Sequence, residues 1–262
     1  MVMLKDMKQI ISIFKRHIIP LTLVLVFAGG LNSTVFAANP GPTSNSAGLQ
    51  ATIPSPPPTQ SASISTPSNG DVFTSTPITF SGLCPNNLLI KAFDNNVFVG
   101  STICSNSSFS MKIDLFSGTN DLVAKDYDSL DQAGPDSSNV TVTFNDAQFA
   151  QFGTQVTLSS AYAERGAPPG QELDWPLVLN GGNGPFALSV DWGDGSSSDL
   201  YSVQTSGSVT IKHSYRTAGV YAVVVKVTDV NGDTAFLQLV GQATGAITNT
   251  AGKAGTGTNG SG

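Results

Sequence analysis

The stretch "VYAVVVKVTDV", residues 220–230, decides the fold class. Tyr221, Val223, Val225 and Val227 fall on one side of an extended chain, and Lys226 and Thr228 on the other. A period of two marks a strand with one buried and one wetter face. Working outward, "ELDWPLVLN" places Leu173, Trp175, Leu177 and Leu179 on one side, and "PFALSVDW" does the same for Phe186, Leu188, Val190 and Trp192. These strands predict a β-sandwich over residues 146–242, about 95 residues and of ordinary size for the class.

The preceding block, residues 63–144, reads the same way. "PITFSGLC" aligns Ile78, Phe80, Gly82 and Cys84, while "FSMKIDLF" aligns Phe109, Met111, Ile113 and Leu115. "LLIKAF" and "VFVGSTIC" flank the turn Asp94-Asn95-Asn96, residue types that tolerate left-handed backbone, and "VTVTF" closes the block. Five to seven strands in a Greek-key sandwich fit this pattern. No long segment after residue 40 repeats apolar residues at helical spacing, so the chain is predicted to be all-β, with two tandem immunoglobulin-like sandwiches.

The ends differ from this middle. Lys5, Lys8, Lys15, Arg16 and His17 precede the apolar run "IIPLTLVLVFAGGL", and Val35 and Ala37 supply small residues ahead of a cleavage point. This predicts a cleavable signal peptide over 1–37. The run is about 14 residues, short of the roughly 20 that span a bilayer. Residues 38–62 are rich in Pro, Ser and Thr and predict an extended spacer, and residues 243–262 predict a flexible Gly/Thr-rich tail. The tail's Gly255, Gly257 and Gly260 match a dinucleotide fingerprint in letters only, since no helix can follow them. With no C-terminal apolar anchor or sortase-like signal, the expectation is a secreted or surface-held protein, or a fragment whose anchor lies beyond Gly262. Membrane attachment would then come only from an uncleaved signal or that missing anchor.

The whole chain has 12 basic and 18 acidic residues; loss of the signal leaves 8 and 17, a net charge of −9. Such a balance argues against nucleic acid and anionic membrane as partners, because both need basic patches. Cys84 and Cys104, alone and even in number in an exported segment, favour a disulfide over a reactive thiol or a metal site.

"SVDWGDGSSS", residues 189–198, raises the question of chemistry. Burial of Val190 and Trp192 sends Asp191 to the opposite face, and Asp194 sits past Gly193 in a turn that Gly195 continues. Asp side chains in such turns bond their own backbone N–H groups, so a structural role is expected. "DVNGDT", from Asp229, has Gly232 at position 4 where a calcium loop needs glycine at position 6. A weak calcium site assembled from several turns stays open, but no metal or cofactor is assigned. After signal cleavage only His213 remains, which removes two-histidine zinc sites, and no G-x-S-x-G elbow occurs. The chain is therefore expected not to be an enzyme. A two-carboxylate hydrolase is the remaining catalytic alternative. Tyr162 and Tyr201, near the long connections "SSAYAERGAPPGQ" and "SSSDLYSVQTSG", are the candidate binding residues, whereas Trp175 and Trp192 belong to the core pattern.

Two resemblances attach to these residues. The run from Ile78 to Asp128, with its Asp-Asn hairpin and with Gly118, Thr119, Leu122 and Asp128, resembles bacterial immunoglobulin-like domains. Asp126 departs from that pattern, where a small apolar residue is usual; either the strand ends early or Asp126 finds a partner. The second block resembles a polycystic-kidney-disease (PKD) domain. Asp191, Trp192, Gly193, Asp194 and Gly195 match its first motif, and His213, Tyr215, Gly219, Tyr221, Asp229 and Gly232 its second half. Val190 and Trp192 replace the aromatic residues usual in the first motif. The resemblance implies an immunoglobulin-like sandwich used extracellularly for attachment or spacing. The resulting expectation is an exported non-catalytic adhesion or spacer protein with an extracellular protein or glycan as partner; a carbohydrate-binding accessory module is the alternative.

Overall fold

The computed structural model describes residues 55–152 and 154–245. The stretch expected to be a signal peptide, most of the stretch expected to be a Pro-rich spacer and the expected tail from residue 246 lie outside these residues. Within them, the alternating stretches become strands. The N-terminal half contains β1 (Ser63–Thr66), β2 (Val72–Phe73), β3 (Ile78–Leu83), β4 (Leu89–Asp94), β5 (Val97–Ile103), β6 (Ser108–Ile113), β7 (Gly118–Tyr127), β8 (Ala133–Asp136) and β9 (Val140–Phe144). Strands β1, β3 and β6 make one antiparallel sheet; β5, β4, β7, β9 and β2, in that order, make the other, with β8 added to β7. Ile78, Phe80, Phe109, Met111 and Ile113 from the first sheet meet Ile90, Ala92, Leu122, Ala124 and Val142 from the second in one buried cluster.

Nine strands exceed the five to seven expected, because β1, β2 and β8 are short and carry no run of alternating large apolar residues. The hairpin between β4 and β5 turns on Asn95 and Asn96, whose φ angles are 50° and 66°, while Asp94 belongs to β4 itself. Paired left-handed residues match the twist of the strands that they join.

A short helix, α1 (Ala147–Phe152), follows; its six residues leave the fold all-β, as expected. Asp146 caps it by accepting the Phe149 amide at 2.9 Å. One and a half turns are too few for an apolar period to show in the sequence.

The C-terminal half contains β10 (Thr157–Ser160), β11 (Glu164–Ala167), β12 (Leu173–Asn180), β13 (Phe186–Asp191), β14 (Asp199–Val203), β15 (Gly207–His213), β16 (Gly219–Thr228) and β17 (Thr234–Ala243). Strands β10, β12 and β15 form one sheet and β14, β13, β16 and β17 the other, with β11 parallel to β17. Trp175, Leu177, Leu179 and Ile211 face Leu188, Val190, Val225 and Leu237 across the core. Two expected loops are thus partly strand: β11 forms inside "SSAYAERGAPPGQ", and β14 carries Tyr201. Ala243, expected to open the tail, ends β17 and is buried.

The two halves share a sheet. Gln238 of β17 pairs in parallel with Gly100 of β5, which joins eleven strands into one sheet. Side chains lock the junction in both directions. Gln155 accepts the Ser117 amide at 3.2 Å and donates to the Leu115 carbonyl at 2.8 Å. Asp114 accepts the Phe236 amide across the junction at 2.9 Å, while within the C-terminal half Asp233 accepts the Val156 amide at 2.8 Å. Burial pushes the Asp114 carboxyl up to about 7, against the Thr76 hydroxyl and the Phe236 amide; the charges of Asp233 and Asp146 add to the rise.

Asp126 does not end its strand. It lies fully buried in β7, and neither carboxylate oxygen has a hydrogen-bond partner. Burial raises its pKa, which the nearby amides of Asp126 itself and Ala62 only partly oppose. Asp94 behaves alike: burial carries it to about 7, opposed by the Phe116 amide and reinforced by Asp121.

Candidate functional site

Two places gather chemistry-bearing side chains. The first is the end of the C-terminal sandwich, where β13 leads into the Asp-Gly turn. Asp191 accepts the Gly193 amide at 2.9 Å and Asp194 that of Ser196 at 3.0 Å, so both carboxylates hold their own turn. Gly193 adopts φ 73°, and a Cβ there would lie 2.5 Å from the Ala222 carbonyl oxygen. Asp194 also reaches His213 Nε2 at 2.9 Å. Burial alone would raise its pKa, but the Ser196 hydroxyl and amide together with His213 hold it down at about 2.

Around this pair, aromatic rings form a continuous stack. Trp192 stacks on His213 with centroids 4.6 Å apart, His213 meets Tyr215 edge-on at 4.8 Å, and Tyr215 stacks on Tyr221 at 4.2 Å. Trp192 Nε1 donates to Asp199 at 2.8 Å. Tyr221 donates to the Thr217 carbonyl four residues upstream at 2.8 Å, the geometry of a tyrosine corner. Gly219 opens the strand against the Tyr221 ring, and Gly195 and Gly232 take positive φ in their turns. Asp229 accepts the amides of Asn231 and Asp233 through one oxygen and that of Asn183 through the other. The motif residues thus act on one another and on the backbone. At the other end of the chain, Cys84 and Cys104 form the disulfide, with an S–S distance of 2.04 Å.

The second place is a groove of ≈ 290 Å³ where the halves meet. Lys91 of β4, Asp128 and Asp131 of the turn before β8, and Tyr162, Glu164 and Arg165 around the start of β11 line it. Lys91 pairs with Asp131 at 2.7 Å and lies 3.7 Å above the Tyr127 ring. The Arg165 guanidinium covers the Tyr162 ring at 4.5 Å, yet Tyr162 stays 44% exposed. Asp128 accepts the Leu130 and Gln132 amides and so shapes the turn. Burial raises the Glu164 pKa, with Lys91 opposing and Asp131 reinforcing the shift.

Tyr201 is not brought to this groove. It sits on β14 and packs partly buried against the C-terminal core, beside the exposed Leu200 in a separate shallow hollow. The two tyrosines singled out from sequence therefore do not form one site. Sequence reading gave no binding role to Lys91, Asp128, Asp131, Glu164 or Arg165, because they come from distant segments that share no local motif. A signal for the His213–Asp194 pair existed in the tight clustering of acids and aromatics, but not its pairing. Among the described residues no group of three or more His, Cys, Asp or Glu side chains is placed to hold a metal ion.

No protein-family model matches the chain, and no curated protein sequence does. Solved structures similar to it include the PKD domain of an M14-like peptidase from a Thermoplasmatales archaeon, at 16% identity and a TM-score of 0.27, covering 35% of this chain and 94% of that one. Others are the fibronectin(III)-like modules of Clostridium thermocellum CbhA, at 15% identity and a TM-score of 0.27 over 33% of this chain and 98% of that one, and a protein from Corynebacterium diphtheriae described as membrane-anchored, at 12% identity and a TM-score of 0.30 over 72% and 60%.

Proposed function

We propose that this chain is an exported, non-catalytic surface protein in which two PKD/immunoglobulin-like sandwiches act as one stiff spacer that carries an adhesive face. The observation that carries this reading is the junction. A spacer must transmit position, and here the halves share a β-sheet and exchange hydrogen bonds through Gln155 and Asp114. Tandem domains on a free linker move independently; these are fastened on both sides of the crossing. Export is supported by the basic and apolar N-terminal pattern and by the disulfide, a bond that persists in oxidising compartments. Among the described residues no helix is long and apolar enough to cross a membrane.

Small-angle scattering from the purified protein tests the spacer. One fixed arrangement of the two halves should fit the curve; a broad distribution of lengths would refute stiffness. Fractionation of the native host tests export, and recovery of the protein in the cytoplasm with reduced cysteines would refute it.

A further inference from the structure

The groove at the junction has a lining that selects its occupant. It offers two cations, Lys91 and Arg165, and three carboxylates, Asp128, Asp131 and Glu164, around one half-exposed aromatic ring. A phosphate or an acidic peptide would meet three carboxylates. A cationic ligand would meet Lys91 and Arg165. An apolar ligand would have to strip water from five charged groups without repaying them. A metal ion lacks a ligand set among the described residues. What suits mixed donors and acceptors is a neutral molecule whose every polar group is both, and that is the hydroxyl group. The Tyr162 ring, stiffened by Arg165, supplies a flat apolar platform for the C–H face of such a molecule. A volume of ≈ 290 Å³ suits a small occupant or one unit of a longer chain.

From this combination we infer that the Lys91–Tyr162–Glu164 groove binds a neutral glycan unit, with Tyr162 stacking under the sugar ring and Lys91, Arg165 and Glu164 bonding its hydroxyls. The lining comes from both halves, so the site exists only while the junction is closed. In this respect the inference deepens the adhesive role proposed above and rests on it. Glu164 fits the assignment: partly buried, it lines the groove with a carboxylate that accepts from an entering hydroxyl.

The test is titration of the purified protein by calorimetry with chito-, cello- and manno-oligosaccharides up to about 10 mM, the range for weak single-site sugar binding. Inorganic phosphate and an acidic peptide serve as competing probes. Saturable binding of at least one neutral oligosaccharide is expected, weakened about tenfold or more by Tyr162→Ala, as loss of a stacking contact predicts, and weakened also by Glu164→Gln. Leu200→Ser, in the separate hollow, should leave it unchanged, and an unaltered melting curve for each variant confirms folding. No saturable oligosaccharide binding, binding unaffected by Tyr162→Ala, or tighter binding of phosphate or peptide would overturn the inference. A stiff, exported protein that binds no oligosaccharide overturns this inference alone. A cytoplasmic protein that binds one through Tyr162 overturns the proposed export alone.

Discussion

The N-terminal and C-terminal sandwiches solve one problem by different chemistry. Each must fasten two facing sheets near the ends of their strands. In the N-terminal half, Cys84 follows β3 of one sheet and Cys104 follows β5 of the other, so the disulfide is the fastener. In the C-terminal half, Trp192 follows β13 and His213 ends β15, again one from each sheet, and the fastener is their stack, reinforced by Asp194. The difference teaches that the acids of the Asp-Gly turn replace a covalent link. They satisfy their own backbone, as their turn chemistry predicts, and Asp194 also anchors an aromatic clamp.

This contrast can be broken experimentally, and the largest effect should come from the aromatic clamp. Trp192→Ala removes a fully buried side chain and should cost about 3–5 kcal/mol, read from denaturant unfolding followed by the fluorescence of Trp175. Both tryptophans lie in the C-terminal half, so that signal reports this half selectively. If far-UV circular dichroism then shows the disulfide-linked half unfolding at the same midpoint, the two fasteners are not independent.

Next in size, replacing Cys84 and Cys104 by Ser opens a loop with a sequence separation of 20 and should cost about 3 kcal/mol on the chain-entropy model. The dichroism midpoint should fall while the tryptophan midpoint holds; a tryptophan midpoint that falls equally would show that the junction couples the halves completely.

Asp194→Asn weakens the charged hydrogen bond to His213 and should cost about 1.5 kcal/mol. Because the Asp194 pKa is held down at about 2, its contribution is present above the ordinary carboxylate range and is lost as pH falls from about 4 through 2. Wild type and variant should therefore converge in acid, and a gap that persists at pH 2 would separate the effect from the carboxylate.

Buried carboxyls, Asp114 at the junction and Asp94 within the N-terminal half, sharpen the contrast through the opposite sign. Asp114 and Asp94 titrate near 7 in the folded protein and near 4 unfolded, so the folded state holds their protons more tightly. Their contribution is present at low pH and is lost as pH rises from about 4 to 7. The melting temperature should be higher at pH 5 than at pH 8 by about a few degrees, and Asp114→Asn should flatten that slope. An unchanged slope would remove Asp114 as its source.

Much of the fold was legible because burial leaves a period of two. Leu173, Trp175, Leu177 and Leu179 alternate in β12 as written, and Phe109, Met111 and Ile113 do so in β6. The short strands β2, β8 and β11 were not legible, since their pairing comes from neighbours and not from their own composition. Tyr162 was visible as an aromatic in a long connection, but its companions Lys91 and Asp131 lie in the other half. No spacing rule relates them, because only the β17–β5 crossing brings them near. Asp126 and Asp94 show the same limit from inside: nothing in the string says that either carboxyl group will be fully buried.

The sequence by itself determined the all-β class, the core faces, the pairing of its two cysteines and the backbone role of the Asp-Gly turns. Each of these is a local consequence of alternation, turn chemistry or residue inventory. The tertiary structure decided that the halves share a sheet, that Asp194 and His213 meet across two sheets, and that Tyr162 borders a charged groove while Tyr201 packs on a core. Such contacts join residues far apart in the chain. They depend on how whole strands pack, and local preferences carry no record of it.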